Sequence, residues 1–377
     1  MNLEFTRAEQ DFRAYVRGWL AEHVPARLPS MDTAGGFAAH RDWERRLAGA
    51  RLSVVSWPHC YGGRAASLIE WLIFEEEYWA AGAPARLGQN GIFLLAPALF
   101  AHGTTAQQDR FLPRMACGDD IWAQAWSEPE AGSDLASVRA RAERVDGGWR
   151  LHGQKTWSSR ASYADWAFGL FRSDPAATRH HGLTYFLFPL DQVDVRPIAQ
   201  LDGRHGFAEL FLDGVFVPDD QVLGAPGEGW RIAMATTSSE RGLTLRSPGR
   251  FMATADRLVR LARTLDPDPV LADEIARAWL DAEAYRLHTY HAVAAGADLG
   301  PAASMGKVFW SELDVRMHTL ALRLLGERGL LDAAAPDAPD SGAWLHGYLF
   351  SLAGPIYAGT NEIQRTIIAE RVLGLPR

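Results

Sequence analysis

The chain has 377 residues and a mass of 41.6 kDa, enough for two or three domains. It is 47% hydrophobic and 22% charged, which suits packed globular domains and argues against extensive disorder. Its net charge of −8 leaves no basic excess to neutralise phosphates, so a nucleic-acid binder is not expected. Fourteen Trp offer wide aromatic surfaces for cores, interfaces or flat aromatic ligands. Cys60 and Cys117 form no CxxC or Cys/His cluster, so neither a zinc site nor a disulfide framework is expected. His180-His181 and the His288/His291 pair each lack a third ligand, so no metal is assigned. The first ten residues carry Glu4, Arg7 and Glu9 without an apolar h-region. The longest apolar run, Ile92 to Ala101, is about half of a membrane span. A cytoplasmic protein without a signal peptide or membrane contact is the expectation.

The periodicity divides the chain into residues 1–119, 120–225 and 226–377. The first stretch reads helical. Thr6 and Glu9 form a capping box ahead of Phe12, Val16, Trp19 and Leu20 at helical spacing. Ser67 and Glu70 form a second box, and a third is expected to open at Thr105. Between the first two, Trp57-Pro58-His59-Cys60-Tyr61-Gly62-Gly63 marks a turn. The second stretch reads as short strands. Val138, Ala140 and Ala142 alternate with Arg139, Arg141 and Glu143, and Asp146-Gly147-Gly148 is a hairpin turn leading into Trp149 to Trp157. Further strands are expected over Ala167 to Phe171, Thr184 to Leu190, Val193 to Ile198 and Glu209 to Val217, giving a small barrel or sandwich. The third stretch is helical again. Leu271, Ile275, Ala278, Trp279, Ala282 and Tyr285 form one stripe, and helices over Ser304 to Leu331 and Trp344 to Leu373 complete a four-helix bundle. Asp332 to Ser341 reads as an exposed loop.

Three segments could carry chemistry. In Trp126-Ser127-Glu128-Pro129-Glu130-Ala131-Gly132-Ser133-Asp134, hydroxyls and backbone N–H groups gather beside a glycine, as a polar ligand edge or phosphate requires. An ordinary turn closed by an Asx-type bond is the alternative. In Gly153-Gln154-Lys155-Thr156-Trp157-Ser158-Ser159, an aromatic followed by two hydroxyls could stack on a planar heterocycle and bond to it, or the Trp could fill a barrel core. In Tyr357-Ala358-Gly359-Thr360-Asn361-Glu362-Ile363-Gln364-Arg365, Thr360 is a candidate N-cap, and the N–H groups around it could hold an anion or a carbonyl oxygen. Gly224-Ala225-Pro226-Gly227-Glu228-Gly229 is glycine-rich but follows no βαβ unit, so it is not a dinucleotide fingerprint.

Taken in order with the Trp57-Pro58…Tyr61-Gly62-Gly63 turn, these segments resemble the acyl-CoA dehydrogenase family over nearly the whole chain. The resemblance implies a mainly α fold with a central β-domain. An N-terminal helical domain (1–119), a small β-barrel or sandwich (120–225) and a C-terminal four-helix bundle (226–377) follow in that order. It implies FAD bound between the β-domain and the bundle. Gln124, Trp126, Ser127, Gly132 and Ser133 would line the flavin and its pyrophosphate. Trp157 would lie against the isoalloxazine, with Ser158 beside it and Ser159 approaching N5. Thr360 and Glu362 would sit near the cofactor at the bundle. Ser133 and Arg241 match positions that contact the acyl thioester, and Ala358 and Gly359 would hold its carbonyl. The implied reaction is α,β-dehydrogenation of an acyl-CoA or acyl-carrier thioester. A carboxylate takes the α-proton, and electrons pass to an electron-transfer flavoprotein.

Two departures from the commonest family pattern matter. Many members carry the base in a Tyr-Glu-Gly-Thr turn, where this chain has Tyr357-Ala358-Gly359-Thr360. A minority branch places the Glu on a bundle helix just before an Arg, and this chain has Ser239-Glu240-Arg241-Gly242. The resemblance therefore assigns Glu240 as the base, against the alternative of an exposed helix carboxylate paired with Arg. The Arg-x-Phe-Gly segment, which reaches an adjacent subunit's cofactor in relatives, is replaced by Leu261-Ala262-Arg263-Thr264-Leu265-Asp266-Pro267. The usual Gln-x-x-Gly-Gly reads Arg323-Leu324-Leu325-Gly326-Glu327. Arg263 or Arg323 could compensate, or a related partner subunit could supply the clamp. A homo-oligomer (dimer or tetramer) and a heteromer thus both stay open. A flavin oxidase or monooxygenase on the same fold, and a non-catalytic subunit of a heteromeric dehydrogenase, are the competing readings.

Overall fold

A computed structural model describes residues 4–236, 247–296 and 303–376, with the backbone alone over 237–241. The chain forms two compact units. One joins Met1–Val24, Ser67–Ala83 and Arg241–Arg377, and the other joins Pro25–Ala66 and Pro84–Glu240.

The first unit is helical. Helix α1 (Arg7–His23) opens at the expected Thr6/Glu9 box, and α3 (Leu68–Ala80) opens at the Ser67/Glu70 box. Between them in sequence, α2 (Ala34–Gly49) belongs to the other unit. Helix α3 is buried along most of its length, through Trp71, Leu72, Ile73, Phe74 and Tyr78. Two of its carboxylates are retained in this setting because α1 supplies partners: Arg13 meets Glu76 at 2.8 Å and Arg17 meets Glu77 at 2.8 Å. Helix α7 (Pro248–Leu265) passes close to α3 at Gly249, where a Cβ would lie 2.7 Å from the Glu75 carbonyl oxygen. Helices α8 (Pro269–Ala294) and α9 (Ala303–Leu325) complete the packing around Phe251, Ile275, Trp310, Met317 and Trp344. The expected stripe of α8 buries Leu271, Ile275, Ala278 and Ala282.

The expected helix over Trp344 to Leu373 is broken. It divides into α10 (Ala343–Ser351), a turn, α11 (Asn361–Ile367) and a π-helical turn over Ile368–Val372. Pro355 and the left-handed residues Ala358 (φ 58) and Gly359 (φ 81) interrupt it, so the apolar period runs across a corner.

The second unit holds α2, α4 (Ala96–His102), α5 (Thr105–Ala116), α6 (Gly229–Arg241, as far as Glu240) and the sheet. The third capping box is set one residue earlier than expected. Thr104 is the N-cap and Gln107 answers it, because Thr105 already has helical backbone. The sheet contains β1 (Trp122–Ala125), β2 (Arg141–Val145), β3 (Gly148–Ser159), β4 (Trp166–Arg172), β5 (Leu183–Pro189), β6 (Asp194–Ile198), β7 (Phe207–Pro218) and β8 (Val222–Leu223). Its order is β6-β7-β3-β2-β4-β5-β8, and β1 pairs parallel to β4. Strands β1 and β8 were too short to read from periodicity. Val138 and Ala140 are buried as their alternation predicts, but the ladder begins only at Arg141. The hairpin closes across Val145 and Gly148, with Gly147 left-handed at φ 71.

Candidate active site

The candidate residues fall into two groups, one in each unit. In the β-containing unit, the register of β3 against β7 slips between Lys155 and Ser158, so β3 carries an extra residue there. This bulge lets Lys155 and Ser158 both face inward while Trp157 turns outward at 58% exposure. Trp157 has φ 59, a region costly for an aromatic residue, and Phe207 stands edge-on to its ring at 6.0 Å. Gly153 opens the same segment. It has φ 135, and a Cβ there would lie 2.6 Å from the Cβ of Ala140.

The Ser127 loop is tied to this strand end. The Thr156 N–H donates to the Ser127 carbonyl at 2.9 Å. Glu128 and Ala131 exchange both backbone bonds at 3.0 Å, closing a tight turn over Pro129 and Glu130. The Glu128 carboxylate points inward rather than toward a ligand. It accepts from the Arg139 N–H at 2.7 Å, the Ala140 N–H at 2.9 Å and the Lys155 Nζ at 2.8 Å. The fully buried Lys155 also donates to the carbonyls of Leu170 at 2.7 Å and Trp126 at 3.3 Å. Burial pushes its pKa down, and the adjacent Glu128 carboxylate opposes that shift. Both residues belong to the motifs, but no role for them is legible there: Lys155 falls on a strand whose alternation buries every second residue, whereas Glu128 lies in a loop, so their pairing has no local signal.

Around this anchor, Trp126 is buried and Gln124, Ser127 and Ser159 are half-buried, while Gly132 and Ser133 are exposed. The Trp126 Nε1 and the Ser158 Oγ are buried without a partner among the described residues. Gly132 is not left-handed, and a Cβ on it would meet no atom within 4 Å, so the protein itself does not require glycine there.

In the helical unit, Ala358, Gly359, Thr360 and Glu362 sit on one corner. The Thr360 side chain caps α11 by accepting from the Ile363 N–H at 3.3 Å. The exposed Glu362 is held below the usual carboxylate range by its own N–H and the Thr360 hydroxyl. Asn361 fastens the corner to α9, its Oδ1 accepting from Lys307 Nζ at 2.8 Å and Ser311 Oγ at 3.1 Å. Arg323 forms an ion pair with Glu274, and Arg263 stands exposed at the end of α7. Glu240 and Arg241 lie at the end of α6, and their side chains are outside the described residues.

A helical region, a short-stranded sheet and a C-terminal helical bundle, with hydroxyls beside an outward Trp and a left-handed corner before the last helix, define a flavin-dependent dehydrogenase architecture. The chain belongs to the acyl-CoA dehydrogenase family. Residues 6–119, 123–215 and 227–373 match its N-terminal, middle and C-terminal domain models. The chain is 41% identical to acyl-CoA dehydrogenase IpdE1 of Mycobacterium tuberculosis, over 98% of each chain. Among solved structures, it is similar to the Tcur3481-Tcur3483 steroid ACAD, at 27% identity, full coverage of both chains and a TM-score of 0.90. It is also similar to the ChsE4-ChsE5 complex from Mycobacterium tuberculosis, at 28% identity, full coverage and a TM-score of 0.86. The chain is thus an oxidoreductase, and FAD is the cofactor of its family. The residues of the β-containing unit fit that group: an outward aromatic ring, hydroxyls at the same strand end, two orphaned buried polar atoms and a glycine that leaves room beside Ser133.

Proposed function

We propose that this chain dehydrogenates an acyl-CoA thioester at its α and β carbons, with Glu240 as the α-proton base. One observation carries the assignment of the base: the corner at Tyr357-Ala358-Gly359-Thr360 holds no carboxylate, and Ala358 cannot take a proton. Glu240, just before Arg241 near the end of α6, is the carboxylate at the alternative position. It takes the α-proton, while the Ala358 and Gly359 N–H groups hold the thioester oxygen as charge develops on it. When bound, FAD supplies the two-electron acceptor for the hydride leaving the β-carbon. Ser127 and Ser159 would hydrogen-bond that cofactor, Gln124, Trp126 and Ser158 would line it, and Trp157 would offer it an aromatic face. Gly132 would leave room for its pyrophosphate, and Thr360 and Glu362 are further candidate cofactor residues. Ser133 and Arg241 contact the thioester.

The substrate class we infer is the CoA thioester of a steroid-derived acid. The support is the steroid acyl-CoA dehydrogenase among the solved relatives, together with the acyl-CoA naming of the 41% identical relative. A panel of thioesters tests this anaerobically. Steroid-derived acyl-CoA should bleach the flavin fastest, ahead of straight-chain acyl-CoA and acyl-carrier thioesters. Faster bleaching by either of the others would overturn the substrate class. Reduced flavin that reoxidises rapidly in air, without an acceptor flavoprotein, would favour the oxidase reading.

We further infer that the working enzyme pairs this chain with a related subunit. The Arg-x-Phe-Gly segment is missing and Arg323 is occupied by Glu274. Two of the solved relatives are assemblies of two named proteins.

A further inference from the structure

Gln364 carried no assignment in the sequence reading, yet it is fully buried and its side chain is committed to one task. Its Nε2 donates to the Ala358 carbonyl at 3.1 Å and to the Gly359 carbonyl at 3.1 Å. Across a planar trans peptide, the C=O of one residue points opposite to the N–H of the next. Drawing the Ala358 carbonyl inward therefore turns the Gly359 N–H outward. Neither the Ala358 nor the Gly359 N–H donates to another described residue. Both residues are left-handed, at φ 58 and φ 81. An Ala in this region is strained, and a corner left to itself would relax. Gln364 is itself fixed. It lies one turn after Asn361, which Lys307 and Ser311 clamp to α9, and its own N–H bonds to the Thr360 carbonyl at 2.9 Å. The Gln364 Oε1 is buried with no partner among the described residues, so the side chain's orientation is set by the two carbonyls it serves.

We propose that Gln364 is a positioning residue: it locks the peptide plane between Ala358 and Gly359, so that the Gly359 N–H faces the thioester oxygen. The proposal rests on the reading above, that the N–H groups of this corner hold that oxygen.

The test uses the flavin-loaded enzyme in its working assembly and a 2-enoyl-CoA labelled with 13C at the carbonyl. This probe is the product of whichever acyl-CoA bleaches the wild-type flavin. Infrared difference spectra of the bound probe report carbonyl polarisation directly. In the wild type, the labelled stretch should fall below its value in buffer. In Gln364→Met, which keeps the volume but removes the donor, the stretch should return toward the buffer value. The limiting rate of flavin reduction should drop about 10- to 100-fold, while the dissociation constant of the CoA ester changes less than about threefold. A wild-type stretch that does not move would defeat the oxygen-holding reading itself. A wild-type shift that Gln364→Met retains, with an undiminished rate, would defeat the role of Gln364 alone. Should Gln364→Met lose its flavin, Gln364→Glu takes its place. An ionised carboxylate cannot donate to either carbonyl, so the shift should shrink as pH rises through its titration. A full shift at every pH would overturn the proposal.

Discussion

Trp157 shows how one residue can be forced into an unfavourable conformation by its neighbours. Lys155 and Ser158 must both be inside, and the bulge that allows this leaves Trp157 left-handed and outward. Lys155 is the more consequential of the three. Its ammonium joins Glu128, the Trp126 carbonyl and the Leu170 carbonyl, so the Ser127 loop and the end of β3 share one buried anchor. Removing one partner of a buried ion pair leaves the other uncompensated, at a cost of about 3–5 kcal/mol. Lys155→Met should therefore destabilise the β-containing unit by about that amount in denaturant titrations and release flavin. Adding Glu128→Gln should recover part of the loss. A single variant as stable as the wild type would contradict the anchor.

At the scale of elements, Glu44 on α2 links that helix to the chain after α3. Burial raises the carboxyl, but the Arg86 guanidinium at 2.8 Å and the N–H groups of Gly88 and Leu87 outweigh it and hold it below the usual range. A depressed folded value stabilises the protein above the unfolded carboxylate pKa of about 4.3, and the gain is lost as pH falls through the folded value. Melting temperature should thus decline below about pH 4, and Glu44→Gln should flatten that decline while lowering stability at pH 7. An unchanged acid slope in the variant would contradict it. Elements with a strong local signal were legible in the sequence. The Thr6 and Ser67 boxes, the Asp146-Gly147 hairpin and the stripe of α8 all depend on residues a few positions apart. The failures share a cause. The break within Trp344 to Leu373, the Thr104 start of α5 and the strands β1 and β8 are decided by backbone corners and tertiary pairing that periodicity does not encode. The same holds for the site. Ser127, Trp157, Ala358 and Thr360 could be singled out, whereas the roles of Glu128, Lys155, Asn361 and Gln364 as supports needed the folded geometry.

At the scale of the whole molecule, the net charge of −8 singles out no substrate. The paired-subunit reading makes a stoichiometric prediction. Native mass spectrometry of the chain expressed alone should show flavin well below one per protomer. Co-expression with its related subunit should restore one flavin per pair. A homotetramer with one flavin per protomer would overturn it. No helix among the described residues is long and apolar enough to cross a membrane. The central claim is the proton transfer, and Glu240→Gln in the flavin-loaded assembly tests it most directly. Anaerobic stopped-flow mixing with the bleaching acyl-CoA should show an unchanged oxidised flavin spectrum and a reduction rate at least about 10²–10⁴-fold slower. Bleaching at near the wild-type rate would show that another group takes the α-proton.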